Sequence, residues 1–227
     1  MIEFENLVYL DVQKTGSTFV IRFLQRFVAS PLITSLPGKP LEQRKDGALH
    51  LISCRHPLYQ YLSLYSYGCT GKGGLRNRDD TTDFAHLYDG TPDGLAQWLA
   101  LMLSPKKSDN ELFGFQTARF LKMALPNYRK VLGRDPNKDD IREKLSRFGM
   151  MDVVLKQETL NDDLLKLVEG EYCHLFKNRR RVQSYLAKTP RRNTSPKLDI
   201  DPSALSADVL STLRAREWLF FEALGYV

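Results

Sequence analysis

The sequence predicts an α/β fold, a central parallel sheet flanked by helices, in one domain covering residues 1–227. Three observations carry that prediction. An apolar run at residues 7–12 leads through a short polar loop into an amphipathic stretch at 19–28. A second apolar run at 48–54 leads into another helical stretch at 58–67. A third short apolar run, 151–155, stands alone late in the chain. Continuous apolar strands that alternate with helices read as parallel strands covered on both faces. A length of 227 residues is enough to bury a sizeable core, and a hydrophobic fraction of 42% is ordinary for a globular chain.

The elements follow in order. Phe19, Val20, Phe23, Leu24, Phe27 and Val28 recur at helical spacing, with Arg22, Gln25 and Arg26 on the other face. Pro31, Pro37, Gly38 and Pro40 mark residues 32–47 as an irregular connector. Pro57 suits the first turn of the helix after the second strand, and Gly68 its end. Residues 68–94 are rich in glycine, aspartate and threonine and read either as a cover over a ligand or as a surface excursion. Helices are predicted at 95–103, 112–124 and 139–148, with Gly149 ending the last, and a single long closing helix at 206–224. No internal repeat is present.

The segment between the first strand and its helix reads Gln13, Lys14, Thr15, Gly16, Ser17, Thr18. A strand, a short loop carrying a lysine and a glycine, and a helix start together make an anion cradle. Main-chain N–H groups at the helix start lack intrahelical acceptors, and the helix dipole adds partial positive charge there. Gly16 allows close backbone approach, Ser17 and Thr18 bring hydroxyl groups, and Lys14 brings a full charge. An ordinary turn capped by Ser17 or Thr18 is the other reading of this loop taken alone. It is not a kinase-type P-loop, because the lysine precedes the only glycine. After the second strand, Arg55 is followed by His56 and Pro57, and Ser63 lies eight residues beyond Arg55. A guanidinium at the carboxyl edge of a parallel sheet, with a hydroxyl two helical turns on, suits a second phosphate. Packing against the neighbouring tyrosines is the structural alternative.

Composition narrows the partners. Thirty-three basic against 27 acidic residues give a formal charge of +6, and the pI is near 9.2. That balance suits an anionic cofactor or glycan and, equally, nucleic acid. Cys54, Cys69 and Cys173 form no CxxC pair, which argues against a zinc site and against a disulfide framework and fits a reducing compartment. Cys54 reads as a small buried hydrophobe. No stretch approaches the ~20 apolar residues of a membrane span, and the acidic N-terminus carries no signal-type pattern. The most basic part is 177–197, which holds Arg179, Arg180, Arg181, Lys188, Arg191, Arg192 and Lys197.

The two loop motifs together resemble the sulfotransferase family that uses 3′-phosphoadenosine 5′-phosphosulfate (PAPS). The residues QKTGST and RHPLYQYLS match its two cofactor motifs, including the Arg-to-Ser spacing. Gln13 stands where the family usually has proline, a change in loop stiffness. Similarity continues, toward the carbohydrate and heparan-type branch, at 74–78, at 154–158, at 192–195 and at 218–226. The resemblance implies a P-loop-like sulfotransferase architecture. It assigns Lys14, Thr15, Gly16, Ser17 and Thr18 to the 5′-phosphosulfate, with Lys14 also catalytic, and Arg55 and Ser63 to the 3′-phosphate. Arg191 or Arg192 would close over the 3′-phosphate and adenine. It further implies a soluble, cytoplasmic enzyme with PAPS as co-substrate, no metal, no nucleic-acid partner, and a hydroxyl acceptor such as a glycan or small molecule.

No residue stands out as general base. Glu42 is the only glutamate of the 32–47 connector; His56 sits at a position that is usually structural, His50 at the far end of its strand, and His86 in a loop without a predicted place. Two other functions use the same residues. A nucleotide or small-molecule kinase would use the same cradle with Mg²⁺ on an acidic residue after a strand. A non-catalytic polyanion-binding protein would act through the basic stretch.

Overall fold

A short hairpin decides the character of the sheet. In the computed structural model, which describes residues 1–72, 85–105, 110–190, 198 and 200–227, the strands are β1 (Ile2–Phe4), β2 (Leu7–Leu10), β3 (Leu32–Ser35), β4 (Leu49–Cys54) and β5 (Val153–Lys156). The helices are α1 (Ser17–Phe27), α2 (Pro57–Cys69), α3 (Pro92–Met102), α4 (Phe115–Ala124), α5 (Tyr128–Leu132), α6 (Lys138–Phe148), α7 (Leu160–Glu169), α8 (Val182–Lys188), α9 (Ala207–Arg216) and α10 (Trp218–Glu222). The chain divides into two compact units. One comprises Met1–Arg55 with Arg119–Asn193, the other His56–Ala118 with Thr194–Val227.

The first unit holds the sheet, in the order β3-β1-β2-β4-β5. Strands β2, β4 and β5 run parallel, with Leu7 opposite Leu49 and Leu51 opposite Val153. Strand β1 is antiparallel to both β2 and β3. The predicted parallel sheet is therefore mixed. Only Glu5 and Asn6 link β1 to β2, too short a connection for a parallel crossover, so the pair closes as a hairpin. Strand β3 also replaces the start of the predicted irregular connector. Its residues are mostly exposed and show no inward-outward alternation, so no period-2 signal marks it.

Strands β2 and β4 are buried throughout, as their unbroken apolar runs require, and Cys54 is a buried thiol at the end of β4. Helix α1 presents Phe19, Val20, Phe23, Leu24 and Phe27 to Tyr9, Leu51 and Leu155 of the sheet and to Leu160, Leu164 and Val168 of α7. Helix α1 starts where Gly16 takes a left-handed conformation, and Val28 leaves it in an extended one. At the other end of the strands, buried His50 accepts from the Lys45 N–H through Nε2, which fixes its proton on Nδ1 beside the Ala48 carbonyl at 2.9 Å. The Asp152 carboxylate accepts from the His50 main-chain N–H at 2.8 Å and pairs with Arg44 at 2.6 Å.

The second unit is helical and aromatic. Tyr61 and Tyr65 of α2, Trp98 and Leu99 of α3 and Leu213 of α9 form its core. Thr91 caps α3, its hydroxyl accepting from the Gly94 N–H at 3.0 Å. The predicted helix at 112–124 starts only at Phe115, and the predicted closing helix at 206–224 breaks at Glu217 into α9 and α10. One side chain explains both corrections. The fully buried Glu217 carboxylate turns onto the first turn of α4 and accepts from the N–H groups of Gln116 at 3.1 Å and Thr117 at 2.7 Å. The Thr117 hydroxyl at 2.7 Å and the Tyr61 hydroxyl at 2.5 Å also donate to it. Gly114 makes this approach possible, because a Cβ there would overlap the Glu217 carboxylate. Burial pushes the Glu217 carboxyl above its ordinary range, while these four donors pull it back down.

Candidate functional site

The site grows out of the carboxyl end of β2. Asp11, nearly buried, anchors the chain by accepting from the Gly38 N–H at 2.9 Å and pairing with the Met1 ammonium at 2.9 Å. Beyond it the backbone turns sharply, with Lys14 at φ 66 and Gly16 at φ 84. Gly16 then opens α1 as a cap with no side-chain acceptor and no acidic residue in the first turn. The N–H groups at such a helix start have no intrahelical partner, and the helix dipole makes the place electropositive. A side chain at Gly16 would be strained by the backbone and would meet Leu160 at 3.1 Å.

A buried line of hydroxyls holds the loop in this shape. The Thr15 hydroxyl donates to the Val12 carbonyl at 2.6 Å and shares a hydrogen bond with the Ser53 hydroxyl at 2.5 Å. Ser53 in turn bonds the Tyr9 hydroxyl at 2.6 Å. Burial raises the Tyr9 phenol far above its ordinary value, so it stays protonated and keeps donating. Thr15 is completely buried. Its side chain serves the loop, and only its main chain is left for a ligand.

Three cations gather at this loop. Lys14 is half-buried, and Arg55, directly after β4, directs Nη1 toward the Lys14 carbonyl at 3.5 Å. Arg119 of α4 donates from Nη2 to the Gln13 amide oxygen at 2.5 Å. Burial lowers the Lys14 ammonium pKa, and the Arg55 and Arg119 charges lower it further. Like charges held together around a turn with unpaired helix amides are suited to receive a polyanion.

Of the residues singled out by sequence, Lys14, Thr15, Gly16, Ser17, Thr18 and Arg55 are brought together in the first unit. Ser17 and Thr18 are the first two residues of α1 and are half-exposed. Ser63 lies on α2 in the second unit, half-exposed. Arg191 and Arg192 lie outside the described residues, as do residues 73–84 of the predicted 68–94 loop. Arg179, Arg180 and Arg181 form an exposed 3₁₀ turn leading into α8. Arg119 was missed: it lies 106 positions from Gln13, so only the fold brings the two together.

The general-base candidates scatter. His50 is locked into the sheet frame as described above. His56, in the second unit, packs edge-on against Phe221 and Tyr226, and its Nε2 lies 3.2 Å from the Val227 carbonyl. His86 is exposed in a 3₁₀ turn, and Glu42 is exposed in the connector after β3. Among the described residues, no group of three or more His, Cys, Asp or Glu side chains is placed to hold a metal ion. No helix among them is long and apolar enough to cross a membrane.

No protein-family model, no curated protein and no solved structure matches this chain.

Proposed function

We propose that the chain is a sulfotransferase that moves the sulfuryl group of PAPS to a hydroxyl acceptor. The observation that carries the reading is the Lys14 loop, a positively charged turn between a parallel strand and an uncapped helix start. The guanidinium that follows the neighbouring parallel strand stands beside it. The resemblance implies such a turn for the 5′ side of the donor and assigns the Arg55 guanidinium to its 3′-phosphate.

PAPS supplies a sulfuryl group whose bond to the 5′-phosphate oxygen breaks as the acceptor oxygen attacks in line. Little covalent chemistry falls to the protein; holding the donor and stabilising charge account for its part. Lys14 neutralises the charge that builds on the bridging oxygen. The main-chain N–H groups at Gly16, Ser17 and Thr18, with the Ser17 and Thr18 hydroxyls, hold the 5′-phosphate. Arg55 grips the 3′-phosphate; Ser63 and Arg191 are assigned to that phosphate by the resemblance alone. A P-loop-like sulfotransferase architecture and a glycan acceptor belong to the same proposal.

Thermal-shift titration tests it. Adenosine 3′,5′-bisphosphate should raise the melting temperature saturably, with a stabilisation of about 2.7 kcal/mol at a hundredfold excess over Kd. A rise with ATP and Mg²⁺ but not with the bisphosphate would replace this reading with a kinase.

A further inference from the structure

We propose that the first unit carries a second, separate binding surface: seven exposed cations of α1 and of the segment leading through α8, gathered around Tyr185 and suited to the phosphate backbone of a nucleic-acid duplex. None of the seven belongs to the donor site proposed above, so either reading can fail alone. The resemblance implies no nucleic-acid partner, and this surface departs from it.

Two stretches without acidic residues build the surface. No Asp or Glu lies between Asp11 and Glu42, or between Glu171 and Asp199. The fold packs part of one stretch on part of the other. Tyr185 of α8 meets Phe23 and Phe27 of α1, with ring centroids 6.2 and 5.1 Å away. The Arg26 guanidinium stands over the Tyr185 ring at 5.4 Å. Arg22 shares the Arg26 face of α1 one turn earlier, and Arg181 and Lys188 flank Tyr185 on its own face, four residues before it and three after. The Lys177 N–H donates to the Phe27 carbonyl at 2.8 Å, which sets that lysine at the end of α1. Arg179 and Arg180 follow in the 3₁₀ turn.

All seven side chains are exposed. Among the described residues, none of them has a carboxylate partner. A solvated surface ordinarily intersperses both signs of charge, and this one carries a single sign. It also holds the whole excess charge of the chain: of 33 basic residues, the 26 outside it stand against 27 acidic ones. A surface of one sign draws in a polyanion.

The side chains narrow the partner. Five of the seven are arginines, whose planar forks pair with phosphate bidentately. The exposed Gln25, Gln183 and Ser184 beside them bring further donors for phosphate oxygens. A lipid surface holds a protein by inserted apolar side chains as well as by charge, and none of the exposed large apolar residues lies on α1 or in 177–188. A single strand stacks its bases on open aromatic faces, whereas Tyr185 is half-buried under Arg26. A duplex, which presents its phosphates and keeps its bases stacked, is the polyanion that fits.

Fluorescence anisotropy of the full chain with a labelled mixed-sequence DNA duplex tests this. Affinity should fall by about a thousandfold between about 50 and 200 mM salt, the response of about six neutralised phosphates. The combined variant Arg22→Gln, Arg179→Gln, Arg180→Gln, Lys188→Gln should bind about tenfold or more weakly at the lower salt and fall by less than about a hundredfold over the same range. The combined variant Lys122→Gln, Lys130→Gln, Arg134→Gln, Arg147→Gln removes as much exposed charge from elsewhere in the chain and should keep the parent's salt response. If this control loses as much as the first variant, net charge alone does the binding and the proposal fails. A parent that does not bind the duplex below about 100 μM at the lower salt also overturns it. So does binding to a heparin oligosaccharide or to phosphatidylserine vesicles without binding to the duplex, or tighter binding to the single strand than to the duplex. Should the first variant not fold, Arg179→Gln with Arg180→Gln, confined to the exposed turn, decides: an unchanged salt response overturns the proposal.

Discussion

The two units each handle buried or half-buried charge, and they do so in opposite ways. In the second unit the Glu217 carboxylate is met by four hydrogen-bond donors from Tyr61, Gln116 and Thr117. In the first unit Lys14 is met by two further cations, Arg55 and Arg119. A charge surrounded by its complement organises a fold, since each donor is satisfied by being there. Charges of one sign gathered at a turn do the reverse. Burial first, and then the Arg55 and Arg119 charges, disfavour the Lys14 ammonium.

The largest effect expected is on the structural side. Glu217→Ala strips acceptors from two N–H groups and two hydroxyls at once and should destabilise the second unit by roughly 3–5 kcal/mol. Both tryptophans, Trp98 and Trp218, are buried in that unit, so fluorescence-detected urea unfolding reads the loss directly. Stability within about 1 kcal/mol of the parent would mean the carboxylate is not the organising contact.

Lys14→Ala should act in the opposite sense. Transfer should fall by a factor of about 10²–10³, the usual consequence of removing one group that stabilises transition-state charge. The melting temperature should change little, because the hydroxyl line of Tyr9, Ser53 and Thr15 that holds the loop is untouched. A Lys14→Ala protein that keeps transfer, or that loses stability as Glu217→Ala does, would erase the distinction between the two units.

Gly16→Ala should show a smaller, mixed effect. The left-handed backbone alone costs about 1 kcal/mol, and the contact with Leu160 adds to it. Affinity for the bisphosphate should fall more than stability does, since the helix start must shift.

The pH responses should be the smallest effects. Glu217 has a folded-state pKa above its ordinary value of 4.5. The stability it favours is therefore fully present below pH 4.5 and is lost as pH rises through the folded value. That slope, followed by tryptophan fluorescence, should be absent in Glu217→Gln. Asp152 and His50 in the sheet have the opposite sign. Burial would raise Asp152, but the His50 N–H and Arg44 outweigh it and lower its pKa; burial, with Arg44, lowers His50. Their stabilisation is present above the ordinary values and is lost as pH falls.

Much of the first unit was legible in the sequence because its signals are local. The apolar runs that became β2, β4 and β5, and the spacing of Phe19, Phe23 and Phe27 on α1, are statements about neighbours along the chain. The Lys14 loop was legible for the same reason. What escaped depends on contacts between distant residues. Strand β1 is three residues long and β3 is an exposed edge, so neither carries a periodic signal, and the sheet was expected to be wholly parallel. The break at Glu217 falls inside a good helical pattern. It occurs because a buried carboxylate caps α4, which starts some 100 residues earlier in the chain. Arg119 reads locally as one more basic residue on a helix, and nothing near it in sequence marks its approach to Gln13.

The ammonium of Lys14 offers the most direct measurement. Its pKa can be followed by NMR of isotopically labelled lysine, with and without adenosine 3′,5′-bisphosphate. The free protein should titrate below the ordinary 10.5, because burial and its two arginine neighbours disfavour the charge, and the ligand should raise the value. Affinity should accordingly fall as pH rises through the Lys14 pKa of the free protein. A lysine that titrates normally and ignores the bisphosphate would contradict the account.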